Sequence, residues 1–125
     1  MKIRVYFEDT DIGGIVYHSK YINFCERARS EVLFRHNISP FDKTTNSGYI
    51  VKALKCEFIK MATLGDILEV KSKVVSKGRV KFTLEQNIYK EDELIFTMQI
   101  TLVYLKNNKP SALDEKILNL FEKSI

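Results

Sequence analysis

A short segment of the chain, residues 8–21 (EDTDIGGIVYHSKY), concentrates side chains that can take part in acyl-group chemistry. Asp9 and Asp11 are separated by one residue, a pair of glycines follows, and His18 lies seven residues after Asp11. Glycine permits positive φ angles and lets backbone amides come close to a ligand. A carboxylate beside such amides can attack a carbonyl or deprotonate a water while the amides stabilise the oxyanion. The segment therefore predicts an acyl-transfer site, with His18 placed to orient a water or the substrate.

Other interpretations of these residues remain open from their types alone. A loop aspartate is most often a turn former or a helix cap, and a lone histidine such as His36 is usually structural. Asp9, Asp11 and His18 also have the donor atoms of a metal site, although one histidine with two carboxylates is a weak signal. The DTD sequence is similar to the nucleophile motif of haloacid-dehalogenase phosphatases. That family needs a doubly wound parallel sheet, which this chain does not predict.

Hydrophobic patterning predicts the elements on either side of this segment. Residues 2–8 alternate between apolar and polar side chains, which predicts a strand, and Ser19 is a suitable N-cap for the helix that follows. The apolar residues of that helix recur at intervals of three and four: Tyr21, Phe24, Cys25, Ala28 and Val32. Four further strands are predicted by YIVKALKCEFI, DILEVKSKVV, RVKFTLEQNIY and LIFTMQITLVYL, and a C-terminal helix by LDEKILNLFEKSI. The breaks SKG and KEDE are short enough for antiparallel hairpins.

These elements fit one economical arrangement, an α+β fold in which a five-stranded antiparallel sheet wraps around a long central helix. A short C-terminal helix completes the expected fold, and the whole chain, residues 1–125, is predicted to be a single domain. A chain of this length buries about two thirds of its unfolded surface, so it needs neither a disulfide nor a metal for stability.

The composition argues against several classes of protein. The first residues lack the apolar stretch of a signal peptide, and no later run reaches the roughly 18 apolar residues of a membrane span, so we expect a cytoplasmic protein. Cys25 and Cys56 are expected to be buried, reduced thiols. The net charge of +4, with both signs interspersed, slightly favours anionic partners. Nucleic acid is not an expected partner, because no stripe of aromatic residues accompanies the basic ones.

The longer string YFEDTDIGGIVYHSKYINFCERAR closely resembles the N-terminal signature of hot-dog-fold acyl-CoA thioesterases of the 4-hydroxybenzoyl-CoA thioesterase type. Within that family it is most similar to the YbgC branch, which is associated with the Tol-Pal system in many bacteria. The similarity continues through FIKMATLGDILEV and covers roughly residues 3–105. One departure is Met61, which stands where many relatives have a proline. The resemblance implies a hot-dog fold and hydrolysis of acyl-CoA or acyl-carrier-protein thioesters, with no cofactor and no metal.

The resemblance also implies roles for individual residues of the segment. The residues expected in the catalytic site are Asp11, His18 and Tyr17. Asp11 is the expected catalytic aspartate, either as a nucleophile that forms a mixed anhydride or as a general base on water. Backbone amides around Val16 to His18, or at the start of the helix, are expected to polarise the thioester carbonyl, and Gly14 and Val16 are expected to contact the substrate. Asp9 is expected to hold the turn that places Asp11.

Basic side chains on the predicted strands offer a further contact for an anionic substrate. Lys71 and Lys73 share one strand face, and Arg79 and Lys81 share a face of the next strand. They predict either a solvated sheet edge or a patch in which Lys73 and Arg79 receive the phosphates of CoA or the acidic face of an acyl carrier protein.

The resemblance implies a homo-oligomer as well, either a dimer or a tetramer built as a dimer of dimers. A single curled sheet leaves edge strands uncovered, and pairing with another copy covers them. Two other functions stay open. One is a hot-dog dehydratase acting on hydroxyacyl thioesters, which would place its catalytic residues elsewhere than in the DTDIGG loop. The other is a non-catalytic acyl-thioester-binding or scaffold module linked to the cell envelope.

Overall fold

The computed structural model describes residues 1–122, which form one antiparallel sheet, one long helix and one short helix. The elements in chain order are β1 (Lys2–Arg4), α1 (His18–Phe34), β2 (Phe41–Asp42), β3 (Ser47–Phe58), β4 (Ile67–Lys77), β5 (Lys81–Lys90), β6 (Glu93–Lys106), β7 (Lys109–Pro110) and α2 (Glu115–Glu122). The last three residues of the predicted C-terminal helix, 123–125, lie outside the described residues. Neither α1 nor α2 has the length and apolar character that a membrane-spanning helix needs.

The strands of the sheet follow the order β1-β4-β5-β6-β3-β2, and β7 pairs with β6. The predicted α+β arrangement, with a curled antiparallel sheet, a long helix and a short C-terminal helix, is confirmed. The predicted count of five strands is wrong, because β2 and β7 add two strands of two residues each. Both form where the chain turns sharply back onto a long strand through asparagines at positive φ: Asn46 before β3, and Asn107 and Asn108 after β6.

The first strand is shorter than the alternating pattern predicts. It ends at Arg4, and one turn of 3₁₀ helix follows at Phe7–Asp9, which leaves the Phe7 side chain 70% exposed. The amide of Tyr6 donates to the carboxylate of Asp9 at 2.9 Å, so the chain bends before it can continue as a strand. This side-chain bond competes with strand pairing, as short polar side chains commonly do. The bend begins the loop that contains the candidate chemistry.

Helix α1 packs its predicted apolar face against the sheet. All five residues of the predicted stripe are buried: Tyr21, Phe24, Cys25, Ala28 and Val32. The predicted N-cap is wrong by two residues, because the N-cap is Tyr17, with φ −67° and ψ 138°, and Ser19 lies in the first turn. Neither a capping side chain nor an acidic residue occupies the N-terminus of α1. The positive end of the helix dipole is therefore not offset by a carboxylate in its first turn.

A buried polar network joins α1 to the middle of the sheet. Gln86 lies on β5 among apolar side chains and is fully buried. Its amide nitrogen donates to the Cys25 carbonyl and to the Ser72 hydroxyl, both at 3.0 Å. Its side-chain oxygen accepts a bond from the Arg29 guanidinium at 2.9 Å. Because a satisfied buried network admits few alternative geometries, it holds α1, and so the N-terminus of α1, in one position on the sheet.

Candidate active site

The loop between β1 and α1 fixes the carboxylate of Asp11 through bonds to its own backbone. Oδ1 of Asp11 accepts hydrogen bonds from the amides of Gly13 at 2.9 Å and Ile15 at 3.3 Å. Gly14 completes the turn at φ +77°, a conformation that glycine adopts without strain. Asp11 is exposed, and Oδ2 has no hydrogen-bond partner within residues 1–122. One carboxylate oxygen is thus held, while the other is available to a ligand.

Asp9 has a different environment although it lies only two residues away. Its side chain is buried, with 1% exposure, and Oδ2 accepts the bond from the Tyr6 amide. Its main-chain carbonyl accepts a bond from the Tyr17 amide at 3.0 Å, at the end of the same loop. Oδ1 of Asp9 has no partner among the described residues. Asp9 therefore joins the two ends of the loop, whereas Asp11 faces solvent.

A second loop, residues 59–66 between β3 and β4, braces the Asp11 loop. The Leu64 amide donates to the Gly14 carbonyl at 2.9 Å, and the Val16 amide donates to the Ala62 carbonyl at 3.0 Å. The amide of Ala62 in turn donates to the buried hydroxyl of Tyr21 on α1 at 2.9 Å. A continuous series of bonds therefore runs from α1 through the second loop to the Asp11 loop. Sequence reasoning missed this role of Tyr21.

Asp66 fixes the second loop from its other end. Its carboxylate accepts bonds from the Thr63 amide at 2.8 Å and from the Lys90 ammonium at 3.0 Å. Burial raises the pKa of Asp66, but the bonds from Thr63 and Lys90 outweigh it, so the net pKa lies below the ordinary value. The carboxylate is therefore ionised at neutral pH and keeps both of its partners.

A Tyr21→Phe substitution tests the bracing role. It removes the acceptor of a fully buried amide, which destabilises the loop by about 1–3 kcal/mol. Because small misplacements of a catalytic group are costly, we expect kcat to fall about 10- to 100-fold with little change in KM. Steady-state kinetics and urea unfolding measure the two effects, with Tyr104→Phe at the opposite end of the sheet as the control. Wild-type kcat in folded Tyr21→Phe would show that the hydroxyl is only structural.

The start of α1 provides free amides beside the Asp11 loop. The amides of Gly14, Val16 and Tyr17 already donate to main-chain carbonyls. The amides of His18 and Ser19 have no acceptor in the part of the chain that the structure describes. The amides of His18 and Ser19 can therefore bind an oxyanion, whereas those of Gly14 and Val16 are already engaged. Contact of the substrate with other atoms of Gly14 and Val16 stays a prediction.

An apolar pocket of about 240 Å³ opens beside the start of α1. Val16, His18 and Tyr21 line its inner side, and Phe58, Ile59 and Met61 line the side formed by the end of β3 and the second loop. The His18 ring lies 4.4 Å from the Tyr17 ring and 6.4 Å from the Phe58 ring, between centroids. The structure thus brings His18 and Val16 together at one pocket at the N-terminus of α1, and Tyr17 contacts the His18 ring without lining the pocket. Asp11 is not among the residues that line it.

The predicted phosphate patch lies away from this pocket within one chain. Lys73 is on β4 and pairs with Glu85 at 3.3 Å, and Arg79 lies in the turn between β4 and β5 rather than on a strand. The Asp11 loop contacts the residues that precede β4, whereas Arg79 follows its last residue, Lys77. A strand of this length separates its ends by about 30 Å. Arg79 therefore does not join Asp11 in one protomer, and Lys73 lies in the middle of β4, about 20 Å from its first residue.

The two cysteines do not offer an alternative nucleophile. Both are free thiols, and Cys25 is buried on the face of α1 that packs against the sheet. Burial raises the pKa of the Cys25 thiol to about 12, so it stays protonated at neutral pH. Cys56 lies on β3 and does not line the pocket beside α1. Asp11 remains the exposed group that is best placed to attack a carbonyl or to activate water.

Comparison with known proteins identifies the family of this chain. The sequence profile of the thioesterase superfamily matches residues 13–96, more than half of the chain. The chain belongs to the thioesterase superfamily. The matched range begins two residues after Asp11 and includes the start of α1, the pocket and the second loop. The role of Asp11 itself, which lies outside this range, therefore depends on the loop geometry.

Curated relatives of this thioesterase-superfamily chain include two YbgC proteins. The chain is 39% identical to the acyl-CoA thioesterase YbgC of Helicobacter pylori over 89 residues, which cover 71% of this chain and 65% of that protein. It is 33% identical to the acyl-CoA thioester hydrolase YbgC of Escherichia coli in an alignment 125 positions long. This alignment covers 97% of this chain and 93% of that protein. The predicted relationship to YbgC-type thioesterases is confirmed.

A solved structure supports the fold of the family. The crystal structure of a probable thioesterase from Bartonella henselae superposes with a TM-score of 0.83 at 26% identity. The superposition covers 91% of this chain and 97% of the Bartonella protein. The expected hot-dog thioesterase fold is confirmed.

Proposed function

We propose that this chain hydrolyses acyl-CoA thioesters to a free acid and CoA. The observation that carries the proposal is the position of Asp11, whose exposed carboxylate is fixed in the loop that leads directly into the N-terminus of α1. The YbgC relatives, which are named as acyl-CoA thioesterases, support this choice of substrate. A carboxylate in the loop and two free amides at the start of the helix that follows are the kinds of group that acyl transfer requires.

In the proposed mechanism the thioester carbonyl lies between Asp11 and the start of α1. Either Oδ2 of Asp11 attacks the carbonyl carbon and CoA leaves as its thiolate, or Asp11 removes a proton from a water that attacks instead. In the first case a second step hydrolyses the mixed anhydride and restores the carboxylate. The amides of His18 and Ser19 stabilise the oxyanion in both cases, assisted by the uncompensated helix dipole.

An assay with a panel of acyl-CoA esters tests the proposal. We expect the wild-type chain to catalyse hydrolysis, measured as loss of the thioester ultraviolet absorbance so that the protein's own thiols do not interfere. A non-catalytic acyl-thioester-binding or scaffold module would bind the esters without hydrolysing them. Binding without turnover for every ester would therefore contradict the proposal.

The outer edge of β3 supports the further proposal of a homo-oligomer. Its only outer neighbour in the described sheet is β2, which pairs with Ser47 and Gly48 and leaves the edge open from Tyr49 to Phe58. Large apolar side chains on β3 are about half exposed: Ile50, Val51, Leu54 and Phe58. A long, apolar, unpaired edge normally associates with another strand. We propose that a second copy pairs along this edge to give a dimer, or a tetramer built from two dimers.

Light scattering at micromolar concentration tests the assembly. The wild-type chain is expected to have at least twice the mass of one chain, and Leu54→Asp is expected to lower that mass at least twofold, because it places charge in the interface. Val75→Asp on β4 is the control, since Val75 has 42% exposure against 41% for Leu54 but lies away from the β3 edge. A monomeric wild-type chain would contradict the proposal.

Other parts of the proposal concern the substrate's carrier. We propose that Lys73 on β4 and Arg79 in the turn after it receive the phosphates of CoA or the acidic face of an acyl carrier protein. A cytoplasmic location belongs to the same proposal, and the two free cysteines are usual for a reducing compartment.

A further inference from the structure

We infer that a second pocket, beside the middle of α1, binds a short, unesterified carboxylic acid whose carboxylate pairs with Arg29. This pocket, called the Arg29 pocket below, has a volume of about 200 Å³ and lies where α1 meets the start of β3, β6 and α2. It shares no lining residue with the pocket beside the start of α1. The inference goes beyond the proposed acyl-CoA hydrolysis and does not depend on it.

Arg29 brings a cation into this pocket without a matching anion. Its side chain is half-buried, and burial lowers the pKa of the guanidinium, although arginine stays protonated at neutral pH. Nη1 donates to the neutral side-chain oxygen of Gln86 at 2.9 Å, and the guanidinium forms no ion pair with any of residues 1–122. Nε and Nη2 have no acceptor among the same residues. Because a buried charge normally has an opposite charge beside it, these two groups provide a site for an anion.

The carboxylates that could approach Arg29 do not supply this anion. Glu26 also lines the pocket, but it is exposed, and its Oε1 accepts a bond from the Ser30 hydroxyl at 2.8 Å. A second copy that pairs along β3 would bring its own Glu57 to the edge. Phe58 contacts α1, so Glu57 beside it points to the face of the sheet that α1 does not cover. A bound molecule is therefore the better source of the anion.

The other walls of the Arg29 pocket set the character and the size of that molecule. Leu33, Val51 and Leu102 provide hydrocarbon walls, and Phe121 of α2 provides an aromatic one. One non-hydrogen atom needs roughly the 30 Å³ of a water molecule in the liquid, so an acid of about four or five carbons fits. A guanidinium binds a carboxylate through two parallel N–H bonds, which Nε and Nη2 can form. Butanoate and 3-methylbutanoate have the required charge, size and apolar chain.

Titration of isotope-labelled protein with butanoate, followed by NMR, tests the inference. A non-hydrolysable thioether analogue of hexanoyl-CoA saturates the catalytic site throughout. The signals followed are the Arg29 Nε–H and the Gln86 side-chain amide, which are joined by the bond to Nη1. We expect both signals to shift and saturate with butanoate, but not with chloride at equal ionic strength or with butan-1-ol. Because the pair is charge-assisted, Arg29→Gln is expected to weaken butanoate binding at least about tenfold, measured at Gln86.

Two further variants separate binding from folding. Ser30→Phe fills the pocket from α1 and leaves the guanidinium in place, so it tests the inference even if Arg29→Gln does not fold. We expect Ser30→Phe to abolish butanoate binding. Arg27→Gln is the matched control, because Arg27 lies on the same helix but is exposed and does not line the pocket. It is expected to bind butanoate as the wild type does.

An absence of butanoate binding would overturn the inference, as would equal shifts with chloride or equal affinities of the wild type and both pocket variants. Shifts confined to the Asp11 loop would assign the acid to the catalytic site and overturn it too. If the Arg29 signal changes only in Leu54→Asp, which separates two copies, the anion belongs to the second copy and the inference is wrong. A chain that binds butanoate but hydrolyses no ester would contradict the proposed function and leave this inference standing.

Discussion

Asp11→Asn is expected to lower kcat for acyl-CoA hydrolysis about 10²- to 10⁴-fold, with KM changed little. Asparagine has the same shape, and its side-chain oxygen can accept the bonds that Gly13 and Ile15 donate to Oδ1. The loop therefore keeps its conformation. A neutral amide can neither attack a carbonyl nor take a proton from water at neutral pH, so the loss falls on the chemical step. Steady-state kinetics and circular dichroism of the purified variant measure rate and folding together.

The matched control for Asp11→Asn is Asp9→Asn, two residues away. Asp9 is buried and bonded to the Tyr6 amide, so its substitution acts on the loop rather than on the substrate. We expect Asp9→Asn to lower the free energy of unfolding and to keep most of the turnover at temperatures where it is folded. If folded Asp9→Asn loses as much activity as Asp11→Asn, the assignment of chemistry to Asp11 alone is wrong.

The second large effect on kcat is expected from loss of the His18 backbone amide. Comparison of His18→Pro with His18→Ala separates this loss from loss of the imidazole. Both variants lose the imidazole, but only proline also removes the N–H at the first position of α1. Proline fits there because its φ matches a helix and its own N–H is not needed. Tyr17 before it is extended, with ψ 138°, as a residue preceding proline must be. Removing one oxyanion donor typically costs about 10²- to 10³-fold in kcat.

We therefore expect His18→Pro to be slower than His18→Ala by about 10²-fold or more. His18→Ala itself is expected to lose less than Asp11→Asn, because the imidazole orients a water or substrate and does not carry the reaction. Helix content by circular dichroism shows whether α1 is intact in both variants. Equal rates for the two variants would remove the His18 amide from the mechanism and leave the Ser19 amide as the donor.

The long elements of the fold follow from the sequence because their patterns are regular. The stripe on α1 repeats at helical spacing, and every residue of it is buried. The strand boundaries that the sequence predicts wrongly are places where a local hydrogen bond or turn outweighs the hydrophobic pattern. The Asp9 carboxylate ends the first strand early by binding the Tyr6 amide. The two short strands depend on asparagine turns of a few residues, which hydrophobic periodicity does not report.

The candidate site is only partly visible in the sequence. The DTDIGG string separates Asp11 from Asp9 through its family resemblance, and the structure gives the two side chains different environments. The bond between the Ala62 amide and the Tyr21 hydroxyl joins residues 41 positions apart, and no local pattern predicts it. The sequence does indicate Gln86, because it is the one amide side chain among the apolar residues on the buried face of β5. The pocket depends on how β3, α1 and the second loop meet, which spacing along the chain does not determine.

The most direct test of the central claim is a single-turnover measurement with enzyme in excess over hexanoyl-CoA. It reports the chemical step at the Asp11 carboxylate without contributions from product release. Binding of the same ester is measured separately by calorimetry with a non-hydrolysable thioether analogue. We predict that Asp11→Asn binds the analogue as tightly as the wild type and forms product at least about 10²-fold more slowly. Equal single-turnover rates in the two proteins would contradict the proposed role of Asp11.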